Sequence, residues 1–169
     1  MHPFFVFTVA MFFVLLWFVW TRIKGAEYWP TRKRRATKAL DMLGLKKQDI
    51  FYDLGCGFGG VVAMAAQKCK TAVGIELDPL RAAIACARTS RYKNAKIKLG
   101  NFLNADISDA NTIFLFLKQG VNQKLKSKLE KLKRGTRIVS HNWTFEGWKP
   151  CAVDARDKLY LYVIGKSNK

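Results

Sequence analysis

The chain has 169 residues, and its 30 Lys and Arg against 12 Asp and Glu give a formal net charge of +18. This length allows one domain and an appendage, and the charge favours anionic partners, either lipid head groups or nucleic acid. The cysteines form no C-x-x-C pair and have no histidine at metal-ligand spacing, which argues against a zinc site or a disulfide scaffold. We therefore expect no metal, and we expect reduced thiols at Cys56, Cys69, Cys86 and Cys151.

Residues 3 to 20 form an uncharged and strongly apolar run near the N-terminus. As a helix this run would be about 27 Å long, enough to cross most of a bilayer core. The alternatives are a buried helix and a cleaved signal peptide, for which a basic start and a small-residue cleavage site are missing. The sequence therefore predicts a transmembrane anchor over residues 1–24.

Basic residues follow the apolar run at once, at Arg22, at Lys24 and over residues 32–35. By the positive-inside rule they predict a single-pass membrane protein whose N-terminus lies outside and whose main domain is cytoplasmic. The same residues suit anionic membrane lipid as a partner. Nucleic acid is the alternative partner, and the sequence favours it less.

Residues 25–50 are predicted to form a linker and the first helix of the domain. Thr31 has the side chain of an N-cap residue, and alanine and leucine recur at helical spacing from Ala36 to Leu43. Gly44 is typical of a helix C-terminus. Residues 28–31 would then form a short hinge before this helix.

Residues 51–60 read FYDLGCGFGG, a pattern that predicts a buried strand, a glycine turn and the start of a helix. Glycine permits positive φ and lets the backbone approach a ligand closely, so this pattern is typical of a nucleotide-binding pocket. Gly55, Gly57 and Gly59 are the candidate binding residues of the turn. Gly55, Gly57 and Gly60 also satisfy the dinucleotide fingerprint, which leaves NAD as an alternative ligand.

Two carboxylates favour a different ligand. Asp53 lies two residues before the first glycine, where it suits an ammonium group, as in the methionine part of S-adenosylmethionine, better than a pyrophosphate. Glu76 ends the next apolar run, precedes Leu77, and can accept hydrogen bonds from both hydroxyls of a ribose. We therefore expect S-adenosylmethionine as the cofactor.

The remaining chain continues the alternation of helices and strands. Asp78 and Pro79 can begin a helix, and residues 96–99 read as a strand that leads to Asn101 and Phe102. Asn101 could bond the adenine edge and Phe102 could cover its face, or the two could be a turn residue and a core residue. Strands over 111–117 and 137–140, a helix that ends at Gly135 and a hairpin within 151–164 follow. The predicted fold is a Rossmann-like α/β fold with a mostly parallel sheet and a C-terminal antiparallel hairpin.

These motifs, together with YWPT at 28–31, GTRIVSHNW at 135–143 and GWKP at 147–150, resemble one group of proteins. The group comprises the small class I methyltransferases of archaea that modify protein lysines, and their mitochondrial relatives. The mitochondrial members modify the ATP synthase c subunit and the adenine nucleotide translocase. The resemblance spans residues 26–165 and implies a methyltransferase domain over residues 51–169. The group usually has an acidic residue where this chain has Phe58, and often Asp in place of Asn101 and Asn142.

The resemblance implies an S-adenosylmethionine-dependent methyltransferase that acts on lysine side chains of protein. The predicted anchor would make it a membrane-anchored enzyme, with membrane-associated protein as its main substrate. RNA, lipid or a small molecule are alternative substrates, and a catalytically idle cofactor-binding module is a further alternative. Methylation of a nucleic-acid base amine is disfavoured because residues 116–119, FLKQ, lack the Asp/Asn-Pro-Pro-aromatic motif of such enzymes.

His141 and Thr31 are the candidate catalytic residues. His141 follows the fifth predicted strand and is the best titratable group there, although it could equally orient a loop. Thr31, Trp143 and Trp148 could line the acceptor channel, while core packing explains the tryptophans equally well.

Overall fold

The computed structural model describes residues 3–24 and 31–168. Its helices are α1 (Pro3–Lys24), α2 (Lys33–Leu43), α3 (Gly60–Ala65), α4 (Pro79–Thr89) and α5 (Gln119–Glu130). Its strands are β1 (Ile50–Leu54), β2 (Thr71–Glu76), β3 (Ala95–Leu99), β4 (Thr112–Leu115), β5 (Arg137–His141), β6 (Ala152–Asp154) and β7 (Leu159–Val163).

Within the described residues seven strands form one sheet, in the order β3-β2-β1-β4-β5-β7-β6. Strands β1 to β5 are parallel, whereas β7 runs antiparallel to both β5 and β6. The strand order reverses between β1 and β4, and in parallel sheets the crevice at such a switch point is where ligands bind. The predicted α/β fold with a mostly parallel sheet and a C-terminal hairpin is therefore confirmed.

Two apolar layers cover the sheet, one on each face. Phe51 points to the layer that contains α2 and α3, while its neighbour Tyr52 points to the layer that contains α5, as the alternation of a strand requires. Burial on both faces explains why β1 and β4 read as continuous apolar runs rather than alternating ones.

Helix boundaries follow local capping chemistry in some places and depart from it in others. Asp78 caps α4 as predicted, because its Oδ1 accepts bonds from the backbone N–H groups of Leu80 at 2.9 Å and Arg81 at 3.1 Å. Gly44 ends α2 at a φ of +57°, also as predicted. The prediction of Thr31 as N-cap is wrong, because Arg32 occupies that position and makes no capping bond. Of the hinge predicted over residues 28–31, residues 28–30 lie outside the described residues.

The N-terminal apolar run does form a helix, α1, but the prediction of a membrane anchor is wrong. Among residues 3–24 and 31–168, no helix combines the length and the apolarity that a membrane crossing requires. The expected single-pass topology, with the N-terminus outside, is overturned with it.

The basic run over residues 32–35 has an intramolecular role that its sequence did not reveal. Arg34 donates to Asp157 at 2.5 Å, Arg35 lies 3.4 Å from the same carboxylate, and Lys38 pairs with both Asp154 and Asp157. The side chain of Asp157 is fully buried, so these cations compensate the burial of its charge. The run therefore gives no support for an anionic lipid partner, because much of its charge fixes α2 to the β6–β7 hairpin.

Gly74 in the centre of β2 should resist even the smallest side chain. A Cβ built there would lie 2.7 Å from the Cys56 Sγ and 2.9 Å from the Ile97 Cδ1. We expect Gly74→Ala to lower the free energy of unfolding by about 1–3 kcal/mol, measured by urea denaturation. Gly120→Ala is the matched control, because no atom lies within 4 Å of a methyl group added there. Equal stabilities of the two variants would contradict this account of the β2 packing.

Candidate functional site

The register of the sheet brings the ends of β1, β4 and β5 into one row. Leu54 lies beside Leu115 of β4, and Leu115 lies beside Ser140 of β5. The next residues along these strands, Gly55, Phe116 and His141, therefore follow one another at the carboxyl edge of the sheet. With adjacent strands about 4.8 Å apart, β1 and β5 are separated by roughly 10 Å at this edge.

The glycine turn after β1 is a compact loop held against β2. The backbone N–H groups of Gly55 and Cys56 both donate to the Ile75 carbonyl, at 2.9 and 3.0 Å. Gly57 has a φ of +53° and Gly59 a φ of +73°, a region that side chains make costly. A Cβ on Gly59 would also lie 2.9 Å from the Cβ of Ala85 in α4. The turn thus requires glycine both for its conformation and for close packing.

Glu76 fixes the glycine turn to the loop after β2. Its Oε2 accepts the backbone N–H of Gly57 at 2.8 Å, and its Oε1 accepts those of Leu77 and Asp78 at 3.0 Å each. Bonds from backbone donors to an ionised carboxylate are stronger than neutral ones. Glu76 is therefore the point at which the two predicted cofactor loops meet, and Leu77 lies at the same point.

Asp53 is a buried carboxylate whose charge is poorly compensated. It is 3% exposed, and no hydrogen-bond or ion-pair partner is found for it in the described part of the chain. Burial, and secondly the charge of Glu76, raises the pKa of Asp53 from 3.8 to about 8. A cation placed beside Asp53 would favour its ionised form.

Asn101 and Phe102 lie in the loop after β3. The Asn101 Oδ1 accepts the backbone N–H of Leu103 at 2.9 Å, which makes Asn101 a turn-forming residue. The Phe102 ring is half-buried, and its Cε1 would lie 3.8 Å from a Cβ on Gly55. The structure therefore brings Phe102 to the glycine turn, while the oxygen of Asn101 is used within its own loop.

Helix α5 holds this loop through the side chain of Lys128. The Lys128 Nζ donates to the backbone carbonyls of Phe102, Leu103 and Ala105, at 2.9, 2.6 and 2.6 Å. Burial lowers the pKa of Lys128, and the charge of Asp106 opposes that shift. No local signal in the sequence could reveal this clamp, because its partners are backbone atoms more than twenty residues away.

The same helix holds the loop after β5. Asn122 donates to the Ser140 Oγ at 3.0 Å, Lys126 donates to the Glu146 carbonyl at 2.7 Å, and Glu130 accepts the Trp148 indole N–H at 3.3 Å. Trp148 itself packs in the core at 4.8 Å from the Phe145 ring, whereas Trp143 is 40% exposed. Core packing thus accounts for Trp148.

His141 forms an aromatic pair with Phe116 at the β5 end of the row. Their ring centroids lie 4.0 Å apart at an interplanar angle of 38°. Burial, followed by the charge of Arg35, lowers the pKa of His141 from 6.5 to about 4, while Asp157 opposes the shift. The imidazole is therefore neutral at pH 7, and its buried Nδ1 has no hydrogen-bond partner within the described residues. Thr31 is partly exposed before α2, and no hydrogen bond joins it to His141 in the ranges that the structure describes.

Asp53 should reduce the stability of the ligand-free protein. Its folded-state pKa lies above its ordinary value, so the stability present below pH 3.8 is lost as the pH rises through about 8. We expect Asp53→Asn to raise the free energy of unfolding by roughly 2–4 kcal/mol at pH 8, with the gain shrinking toward pH 4. Urea denaturation across this range measures it.

The control for Asp53→Asn is Asp41→Asn, whose side chain is 59% exposed and pairs with Lys68 at the surface. This substitution should change stability by less than about 1 kcal/mol at every pH. A gain for Asp53→Asn that does not vary with pH would contradict the assigned burial penalty.

Two curated relatives resemble this chain over most of its length. A protein-lysine N-methyltransferase of Saccharolobus islandicus (strain REY15A) is 40% identical over 156 residues, which cover 85% of this chain and 97% of the relative. The human lysine N-methyltransferase of the ATP synthase C subunit is 26% identical over 139 residues, covering 79% of this chain and 59% of the relative. The resemblance drawn from the sequence motifs is therefore confirmed.

A solved structure and a family model lead to the same assignment. The crystal structure of an RNA methyltransferase from Salinibacter ruber in complex with S-adenosyl-L-homocysteine matches with a TM-score of 0.77 and 34% identity, covering 80% of this chain and 94% of the other. The ANTKMT methyltransferase domain family matches residues 53–152, which include the glycine turn and the row formed with β4 and β5. The chain therefore belongs to the ANTKMT methyltransferase domain family and is an S-adenosylmethionine-dependent methyltransferase.

Proposed function

We propose that this methyltransferase acts on the ε-amino group of lysine in protein substrates. The observation that carries the proposal is the 40% identity to an archaeal protein-lysine N-methyltransferase along 97% of that relative. The site is consistent with it. The neutral aromatic pair of Phe116 and His141 lies at the β5 end of the row, where an enzyme for base amines would have oxygen atoms that accept the amine's protons.

For the cofactor, we assign the loops around Asp53 and Glu76. Asp53 would pair with the ammonium group of the methionine part, with Gly55, Gly57 and Gly59 giving the close backbone approach. A carboxylate has about four acceptor positions and Glu76 already uses three, so one is open to a ribose hydroxyl.

The adenine end of the cofactor is assigned to the adjoining loops. Phe102 is half-buried beside the glycine turn and offers a face for the base, and Leu77 and Asn101 border the same region. When bound, S-adenosylmethionine supplies an activated methyl group on a positively charged sulfonium. The chain's own task is to align the acceptor and to exclude water.

For the acceptor, we assign the pair of Phe116 and His141. The two rings give an uncharged, apolar surface for the stem of the lysine side chain, and the neutral imidazole adds no repelling charge. A lysine amine has an ordinary pKa of about 10.4, so a buried channel that disfavours the cation promotes its deprotonation. The buried Nδ1 of His141, which has no hydrogen-bond partner among the described residues, is the atom that would accept one N–H of the amine and orient its lone pair.

Transfer to lysine can be tested directly with the full chain and labelled S-adenosylmethionine. We expect label in protein lysines when protein and RNA fractions are offered together, with mass spectrometry locating added methyl groups on the lysine side chain. Asp53→Ala should abolish cofactor binding in calorimetry and transfer together, whereas Asp41→Ala at the surface should leave both unchanged. Label found in RNA alone would refute the proposed acceptor.

RNA is the second candidate substrate. The Salinibacter ruber structure, 34% identical, is titled an RNA methyltransferase, and a net charge of +18 attracts polyanions. The aromatic pair and the FLKQ sequence after β4 argue against methylation of a base amine, because they offer no carbonyl pair for its protons. The mixed-substrate experiment decides between the two candidates.

His141 should act on turnover rather than on cofactor binding. His141→Phe keeps an aromatic ring against Phe116 but removes the unpartnered Nδ1 acceptor. We expect kcat to fall by roughly tenfold or more, while the affinity for S-adenosylmethionine changes by less than about twofold. Because the pKa of His141 is about 4, the pH–rate profile of the wild type should show no inflection near the ordinary histidine value of 6.5. Such an inflection, absent from the variant, would show that His141 titrates as a general base.

A further inference from the structure

Exposed basic side chains border the acceptor end of the sheet. Arg137, at the start of β5, donates to the carbonyl of Gly44 at 2.7 Å, so α2 ends at the amino edge of the sheet. Its first residues therefore lie at the opposite edge, where β5 ends in His141. Arg32 and Lys33 are exposed there, and Lys158 directly precedes Leu159, the strand partner of His141. We call Arg32, Lys33 and Lys158 the acceptor rim.

The carboxylates nearest to the acceptor rim are already neutralised within the protein. Asp157 is buried among Arg34, Arg35 and Lys38, and Asp154 also pairs with Lys38. Hydrogen bonds from Lys38 and Arg34 outweigh the burial of Asp157 and hold the pKa of its carboxyl group below the ordinary value. Both groups are thus ionised and paired at pH 7, so neither carboxylate is free to bind an incoming cation.

Exposed carboxylates elsewhere in the described chain, at Asp106, Asp109, Glu130 and Glu146, are outnumbered by basic side chains. Ion pairs join Asp41 to Lys68, Asp78 to Arg81 and Asp49 to Arg137. With a formal net charge of +18, the surface potential repels a substrate in which the acceptor lysine has basic neighbours. A carboxylate beside that lysine would instead find cationic partners on the acceptor rim without displacing an internal ion pair.

We propose that the acceptor rim selects substrates in which acidic residues flank the target lysine. This inference rests on the proposed transfer to lysine and names the substrate class for that activity. The rim can select substrates by their charge because its three side chains are exposed and form no ion pair within the described residues. The Phe116–His141 pair receives the lysine itself.

The test compares peptides that contain a single lysine flanked by Glu, by Gln or by Arg, with the full chain as enzyme. We expect kcat/KM to be at least about tenfold higher for the Glu peptide than for the Gln peptide at low salt, and lowest for the Arg peptide. The preference should weaken as ionic strength rises from about 0.02 to 0.3 M, because surface charges are screened.

A charge-reversed pair of variants separates the rim from overall charge. Arg32→Glu with Lys33→Glu should remove the preference for the Glu peptide, and acidic residues at the start of α2 are compatible with helix formation. Lys46→Glu with Lys47→Glu is the matched control: it changes the net charge equally at exposed neighbouring positions just beyond the other end of α2. The control should retain at least about half of the preference.

The outcomes distinguish this inference from the proposed function. Equal rates for all three peptides would overturn the acceptor rim but leave lysine methylation standing. Equal loss of the preference in both charge-reversed variants would also overturn it, because overall charge would then suffice. No transfer to any peptide, with labelling of RNA by the same preparation, would overturn the lysine acceptor and the rim together.

Discussion

The site depends on the hydrogen bonds that the carboxylate of Glu76 accepts. By accepting backbone N–H groups from Gly57, Leu77 and Asp78, it ties the glycine turn of β1 to the loop of β2 and to the start of α4. The same charge contributes to the raised pKa of Asp53. Glu76 therefore orders the two loops, but it places a second buried carboxylate near Asp53. Neither carboxylate has a cationic partner among the described residues, so the burial of their charge lowers stability. Such a conflict is typical of sites where binding, rather than folding, supplies the compensating charge.

Helix α5 gives the site its second support. Lys128 holds the loop that carries Phe102, and Asn122 and Lys126 hold the segment that follows His141. Both regions are loops, but each is bound to one helix through backbone carbonyls. A helix fixed in the core by Leu125 and Leu129 can thus keep the cofactor side and the acceptor side at a constant separation.

Local signals predicted the secondary structure of the loops to which we assign the cofactor. The strand, glycine turn and helix of residues 51–60 and the Asp78 cap depend on neighbouring residues, and both are present as expected. Long-range contacts were not predictable in this way. Arg34 and Asp157 are 123 positions apart, so the basic run was assigned to a membrane surface when much of it forms internal ion pairs. The apolar content of residues 3 to 20 indicated a helix correctly, but not a membrane crossing.

The position of α2 gives the basic run two roles that follow from helix geometry. Arg34, Arg35 and Lys38 lie on consecutive turns and converge on Asp157, which fastens the helix to the hairpin beside His141. Arg32 and Lys33 precede these turns and remain exposed. Removing the internal pairs would leave a buried carboxylate without cations and would move the helix that presents the exposed ones. The stability of the hairpin and the charge around the acceptor site are therefore coupled through a single helix.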